Sequence, residues 1–250
     1  MEYSTAVSVK GTLVVGIDEA GRGSLVGDMF IAGVCVRIDK LSRLKDIGVR
    51  DSKQLTPKRR DELFNIIVSE IEYYTVRRIP PPIIDRENLN NLLYDNIADI
   101  LAELVDKCEN ITYVYIDLTG NKRKLLEIIN RRLGRRKWVI IAEHKADQKY
   151  VAVSIASIIA KVLRDRHIHE LSKRYGKIGS GYPADPRTIE WLRNYLEEHR
   201  NIPVIVRRTW HTIKELAPSY YIEKSNRREF ITLDHFFKTS NKNTAEKSKQ

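Results

Sequence analysis

The chain has 250 residues, 42% hydrophobic and 31% charged, and its 44 Lys and Arg against 33 Asp and Glu give a net charge of +11. That balance suits a globular protein able to bury a sizeable core and excludes a wholly disordered chain. The positive excess favours a polyanionic partner, nucleic acid before a membrane surface, and it is not confined to the C-terminal stretch from Lys224 to Gln250, which holds only seven of the 44 cations.

Thr12 to Asp18 and Met29 to Val36 are short β-branched runs joined by a glycine-punctuated segment, which predicts an antiparallel strand pair. Thr56 followed by Pro57 predicts an N-cap and the first helical position of a helix reaching about Ile71. Tyr73 to Ile79 alternates as a third strand, stopped by Pro80-Pro81-Pro82, and Asn90 to Cys108 repeats its apolar residues at helical spacing. Ile111 to Asp117 predicts a fourth strand, Lys122 to Leu133 a helix, and Lys137 to Ala142 a fifth strand, an alternation that argues for right-handed parallel crossovers. Ala146 to Tyr175 lacks proline and glycine and predicts one long helix, apolar nearly all round at first and charged from Arg164 onward. Helices are further predicted over Arg187–His199 and His211–Leu216, and the chain turns polar and basic after Tyr221.

The longest apolar stretch, Val151 to Leu163, contains Ser154, Ser157 and Lys161 and falls short of the roughly 18–20 apolar residues that a bilayer span needs. The N-terminus shows no secretory pattern. The two cysteines, Cys35 and Cys108, sit in apolar surroundings, which argues against a disulfide framework or a Cys-based zinc site and for a reducing, cytoplasmic location.

Four acids stand out. Asp18 and Glu19 close the first strand, Asp117 closes the fourth, and Asp147 opens the long helix just after the fifth. Functional groups of α/β sheets converge at strand ends. Carboxylates placed together suit hard cations such as Mg²⁺ or Mn²⁺, a pair of which can activate water and stabilise the leaving oxygen of a phosphodiester. Each acid also has a plainer reading: a strand-end Asp as a turn or cap, Asp147 as a helix N-terminal acid favoured by the dipole, Glu19 as an exposed turn residue. Spacing alone leaves both readings open.

The local context resembles a known family. Gly16-Ile17-Asp18-Glu19-Ala20-Gly21-Arg22-Gly23, Asp51-Ser52-Lys53-Gln54-Leu55, Tyr115-Ile116-Asp117, His144-Lys145-Ala146-Asp147, Ser154 to Val162 with Arg164-Asp165-Arg166, and Gly179-Ser180-Gly181-Tyr182-Pro183 stand in the order of the ribonuclease HII signature, over roughly residues 12 to 215. The block Ser180 to Pro186 resembles archaeal members. The resemblance implies an α/β, RNase H-like fold with a five-stranded mixed sheet, its first three strands antiparallel, flanked by helices and followed by a C-terminal helical region. A catalytic domain is expected over 12–222 and a basic tail over 223–250.

The resemblance further implies that Asp18, Glu19, Asp117 and Asp147 bind two Mg²⁺ or Mn²⁺ ions. They would hydrolyse the phosphodiester 5′ of a ribonucleotide in RNA/DNA hybrids or in ribonucleotide-containing duplex DNA, leaving 3′-OH and 5′-phosphate ends. Gly21, Arg22 and Gly23 would sense the ribose, Tyr182 would stack on the following deoxyribose, and Lys53 and Lys161 would bind substrate. Arg50, His144, Lys145 and Arg164 are further candidates for phosphate contact, Arg207 and Arg208 candidates for the nucleic-acid backbone, and Trp210 a core residue. Where the family carries prolines, this chain has Ser24 and Asp28, which predicts a looser turn because each proline fixes φ. A transposase or resolvase would have no use for GRG and GSGYP together. The sister type HIII carries an added N-terminal domain, whereas only 17 residues precede Asp18 here. A non-catalytic binding module would not need all four acids.

In the basic tail, Leu233, Phe236 and Phe237 fall at i, i+3 and i+4 within segment 230–237 and resemble the core of a sliding-clamp-docking motif, with Phe230 in place of the usual glutamine. The same turn could instead pack on the enzyme body. No membrane partner is expected, and a monomer is.

Overall fold

The computed structural model describes residues 11–49 and 55–223. Five strands, β1 (Leu13–Ala20), β2 (Met29–Arg37), β3 (Tyr73–Ile79), β4 (Ile111–Asp117) and β5 (Val139–Glu143), form one sheet in the order β3-β2-β1-β4-β5. The β1–β2 and β2–β3 pairs are antiparallel, and the β1–β4 and β4–β5 pairs are parallel. The expected mixed sheet is therefore present.

Both faces of the sheet are covered, which is why β1 and β2 are buried almost without alternation. On one face Val15, Ile17, Ile31, Val114 and Ile116 pack against α4 (Leu89–Lys107) and α5 (Lys122–Leu133). On the other, Val14, Ala32 and Val34 pack against α6 (Val151–Tyr175) and α2 (Pro57–Glu70). A third cluster joins the far end of α6 to α7 (Pro186–His199) and α8 (His211–Leu216) through Ile168, Leu171, Trp191, Leu192 and Ile213. Two short helices, α1 (Leu41–Asp46) and α3 (Pro81–Arg86), were not expected from the sequence. Pro81 and Pro82 do not merely end β3: they occupy the first turn of α3, where a missing amide hydrogen leaves no helical bond unmade. Among the described residues no helix is long and apolar enough to cross a membrane.

Two corrections bear on the site. First, β1 runs on to Ala20, so Asp18 and Glu19 lie within the strand. Its parallel pairing with β4 ends at Ile17↔Ile116, while the antiparallel pairing with β2 continues through Ala20↔Phe30. Asp18 and Asp117 thus flank the point where two neighbouring strands part, the usual location of a crevice in an α/β sheet.

Second, the long helix expected over Ala146–Tyr175 is broken. Ala146–Gln148 is a single 3₁₀ turn entered through Lys145 at φ +58°, and Tyr150 is extended before α6 begins. Tertiary contacts make the break: the Ala146 amide donates to Asp117 at 3.1 Å, and the Tyr150 ring stacks on Tyr115 at 4.2 Å. Composition carries no trace of either.

Candidate active site

Asp18 and Asp147 are buried, at 6% and 3% exposure. The Glu19 amide donates to Asp18 Oδ1 at 2.7 Å, and the Thr119 hydroxyl, in the loop after β4, donates to Glu19 Oε1 at 3.3 Å. Asp117 accepts the Ala146 amide, which fixes the turn carrying Asp147 beside the end of β4. The Ser154 hydroxyl of α6 donates to the Asp147 carbonyl and closes that turn from the other side.

The electrostatics of this group are adverse for free carboxylates. Burial and the neighbouring charges of Glu19 and Asp117 push the Asp18 carboxyl well above the usual range, with the buried Ser157 hydroxyl pulling the other way. Burial pushes Glu19 up to about 7, helped by Asp117 and opposed by Arg22, whose Nη1 lies 3.8 Å from Glu19 Oε1. Among the described residues no three His, Cys, Asp or Glu side chains form a finished coordination cage. The donor set is nonetheless all oxygen and anionic, which suits a hard divalent cation that would offset the repulsion.

The chain turns sharply after β1. Gly21 has φ +79°, and a Cβ there would fall 2.9 Å from the Asp28 carbonyl, so glycine is required. Gly23 is different: it is exposed, and a Cβ would meet nothing within 4 Å. Arg22 between them places Nη2 2.5 Å from Asn90 Oδ1 at the start of α4. Its guanidinium is therefore held beside Glu19.

Ser24 and Asp28 do not leave the turn loose, as the loss of prolines predicted. Ser24 is fully buried and accepts Arg164 Nη2 at 3.1 Å. Asp28 is paired with Arg78 of β3 and lies 3.3 Å from His167 of α6. Despite burial, these two partners hold its carboxyl below the usual range.

The loop bearing Tyr182 is attached to the same turn. The amides of Leu25 and Val26 both donate to the Gly181 carbonyl, at 2.9 and 3.0 Å, and Asp185 caps α7 while accepting the Ser180 amide at 2.7 Å. Tyr182 is exposed, with the Arg164 guanidinium carbon 4.4 Å from its ring centre.

The cations expected on the surface divide. His144 and Lys145 are exposed beside Asp147, and Lys161 is half-buried on α6. Arg164 and Arg207, read from sequence as nucleic-acid contacts, are buried at 6% and 0% exposure. Arg164 donates to Ser24 and to the Ser180 carbonyl, Arg207 to carbonyls of the Gly21–Gly27 turn. Arg208 turns away, giving its Nε to the Tyr220 carbonyl at 2.7 Å. Trp210 lies half-buried against two of the apolar clusters, as a core residue should. A charged side chain carries no mark of burial in sequence; only the glycine-rich turns, dense in carbonyls needing donors, hinted at such partners. Arg50, Lys53, Leu233, Phe236 and Phe237 lie outside the described residues.

Known proteins resemble this chain in sequence and in fold. The ribonuclease HII family model matches residues 15–213. A ribonuclease HII of Saccharolobus solfataricus is 49% identical over 214 residues, 86% of this chain and 98% of the relative. Among solved structures, ribonuclease H2 from Pyrococcus horikoshii superposes with a TM-score of 0.74 at 39% identity, covering 84% of this chain and 99% of that one. An RNase HII from Archaeoglobus fulgidus, solved in complex with PCNA, gives 0.70 at 36% identity over 79% of this chain and 95% of its own.

Proposed function

The chain belongs to the ribonuclease HII family and is a ribonuclease H endonuclease, and from that premise we propose that it nicks duplex DNA on the 5′ side of embedded ribonucleotides as well as cutting RNA/DNA hybrids. The observation that carries this reading is the pair of hydrogen bonds from Leu25 and Val26 to Gly181. They fasten the loop of the exposed Tyr182 to the turn that leaves the carboxylate strand, so cutting groups and reading groups share one rigid edge.

Asp18, Glu19, Asp117 and Asp147 would hold two divalent cations, Mg²⁺ or Mn²⁺. When bound, these supply Lewis-acid polarisation of the phosphodiester and a water acidified toward neutral pH. Gly21 and Gly23 let backbone approach the sugar that carries the 2′-OH, the one group distinguishing the two nucleotide types at that point. Lys161, His144 and Lys145 add positive charge for the phosphates, with Arg50 and Lys53 as further candidates from the sequence. The role is removal of ribonucleotides from DNA during replication and repair.

The deciding experiment is cleavage of a duplex with one embedded ribonucleotide, with and without divalent metal and with the nick mapped. A single metal-dependent cut on the 5′ side of the ribonucleotide is expected. A cut elsewhere, or cleavage in excess chelator, refutes the proposal.

Tyr182→Ala should weaken cutting at an isolated ribonucleotide by about tenfold, since base or sugar stacking on an aromatic is worth ~1–3 kcal/mol. Cutting within a long RNA strand should fall less, because only the isolated site always offers a deoxyribose after the ribose. Equal losses on the two substrates in steady-state assays would make Tyr182 a packing residue.

The tail supplies a partner surface. Leu233, Phe236 and Phe237 would dock on a sliding clamp, in keeping with the PCNA-bound Archaeoglobus fulgidus relative. Replacing Phe236 and Phe237 by Ala should raise the clamp Kd at least tenfold by calorimetric titration, with short-duplex cleavage unchanged. An unaltered clamp affinity ends the docking idea, and a lowered melting temperature favours packing on the body instead.

A further inference from the structure

Arg207 has no part in the chemistry described above, yet it is fully buried and is among the largest side chains in that state. Burying a guanidinium costs several kcal/mol unless its donors are met. Here Nε and Nη2 donate to the Gly27 carbonyl at 3.1 and 2.9 Å, Nη2 also to Gly21 at 2.6 Å, and Nη1 to Arg22 at 2.8 Å. Its own amide donates to the Leu25 carbonyl at 2.9 Å, and Gly27 returns an amide to Ile205 at 2.8 Å. The guanidinium carbon lies 5.1 Å from the centre of the Trp210 ring. Burial drives the Arg207 pKa down to about 10, which still leaves the group charged at neutral pH.

The direction of those carbonyls has a consequence. No peptide bond among the described residues is cis, and in a trans peptide the carbonyl of one residue and the amide hydrogen of the next point opposite ways. With the Gly21 and Arg22 carbonyls drawn in to Arg207, the Arg22 and Gly23 amide hydrogens must face away from it. Gly23 is the exposed residue of the turn, with open space where a Cβ would be. Two adjacent amide donors are thereby aimed outward beside the carboxylates.

We propose that Arg207 is a positioning residue for ribonucleotide selectivity: by holding the Gly21, Arg22 and Gly27 carbonyls, it presents the Arg22 and Gly23 amides to the 2′-oxygen of the substrate ribose. The proposal rests on the reading of Gly21-Arg22-Gly23 as the ribose sensor. Arg207 is itself held from behind. Asp85 of α3 accepts the Arg208 amide at 2.8 Å and the Thr209 amide at 3.0 Å, and also the Thr209 hydroxyl at 2.8 Å. Lysine cannot replace the fork, because an ammonium is a point donor that cannot span three carbonyls in a plane.

The test uses the full chain and reads selectivity, defined as the inhibition constant of an all-DNA duplex divided by the KM for the same duplex with one ribonucleotide. Arg207→Lys should lower selectivity about tenfold through a raised KM, the scale of one lost hydrogen bond to the ribose. Inhibition by the all-DNA duplex should stay within about twofold. Asp85→Asn, which disturbs the anchor and leaves Arg207 in place, should act in the same direction and serves if the lysine variant does not fold. Ile213→Ala, a cavity variant in the same C-terminal cluster, should lower the melting temperature without changing selectivity.

Gly21→Ala separates the two ideas. If it loses selectivity while Arg207→Lys and Asp85→Asn keep theirs, the positioning role is wrong and the sensor reading stands. If Gly21→Ala also keeps its selectivity, the sensor reading falls. An equal selectivity loss in Ile213→Ala would reduce Arg207 to a contributor to general stability.

Discussion

Asp147→Asn and Asp18→Asn should each cut turnover by more than the 10²–10³-fold that follows removal of a single preorganised electrostatic group, on the order of 3–4 kcal/mol of transition-state stabilisation. Asparagine keeps the shape of aspartate and loses the charge that would bind a divalent cation, so duplex binding should persist. Stability should move the other way in the metal-free protein. The Asp18 carboxyl is held well above its usual range by burial and by Glu19 and Asp117, so keeping it ionised near neutral pH works against the fold. That cost is absent below its unfolded pKa and grows as pH rises. Asp18→Asn should therefore melt higher than the parent at pH 7.5 in chelator, and the gap should narrow toward pH 4. Wild-type turnover by either variant at saturating Mg²⁺ would remove that residue from the site.

Gly16→Ala should lower the melting temperature by roughly 5–10 °C, taking ~2–3 kcal/mol for overpacking and ~2–4 °C per kcal/mol for a domain of this size. A Cβ on Gly16 would come within 2.1 Å of the Ala152 carbonyl oxygen and 2.6 Å of the Val153 nitrogen, both backbone atoms of α6. Neither side can yield easily. Gly16 is paired with Val34 on one flank and Tyr115 on the other, so β1 cannot shift without straining both ladders. If α6 retreats instead, it carries the turn that holds Asp147, and turnover should fall with stability. Calorimetry showing a loss under about 2 °C would mean that the helix start accommodates the methyl group without strain.

Much of the fold could be read from pattern because local signals and tertiary structure agree. Tyr73–Ile79 and Ile111–Asp117 alternate and are β3 and β4 to the residue, and Thr56-Pro57 opens α2, with the Thr56 hydroxyl accepting the Arg59 amide. The family resemblance gave a mixed sheet with its first three strands antiparallel, but the order β3-β2-β1-β4-β5 came only with the structure, since periodicity does not say which strands are neighbours. The break before α6 was hidden because its causes, an Asp117 carboxylate and a Tyr115 ring, lie about 30 residues upstream. Of the acids, Asp117 ends its strand as read, whereas Asp18 and Glu19 lie inside β1 and Asp147 in the turn before α6. Arg164 and Arg207 were misplaced because charge was read as exposure, whereas turns rich in inward carbonyls can satisfy a buried guanidinium.

The bonds between Arg207 and the Gly21–Gly27 turn join positions 180 to 186 residues apart. At a synthesis rate of about 5–20 residues per second, Arg207 is added roughly 10–40 s after Gly27. All four acids have been made by residue 147, long before the clasp for the turn exists. A growing or prematurely ended chain can thus carry all four acids while the Gly21–Gly27 turn still lacks its bonds from Arg207. The turn is secured only when the last part of the body is translated and folds back onto the first.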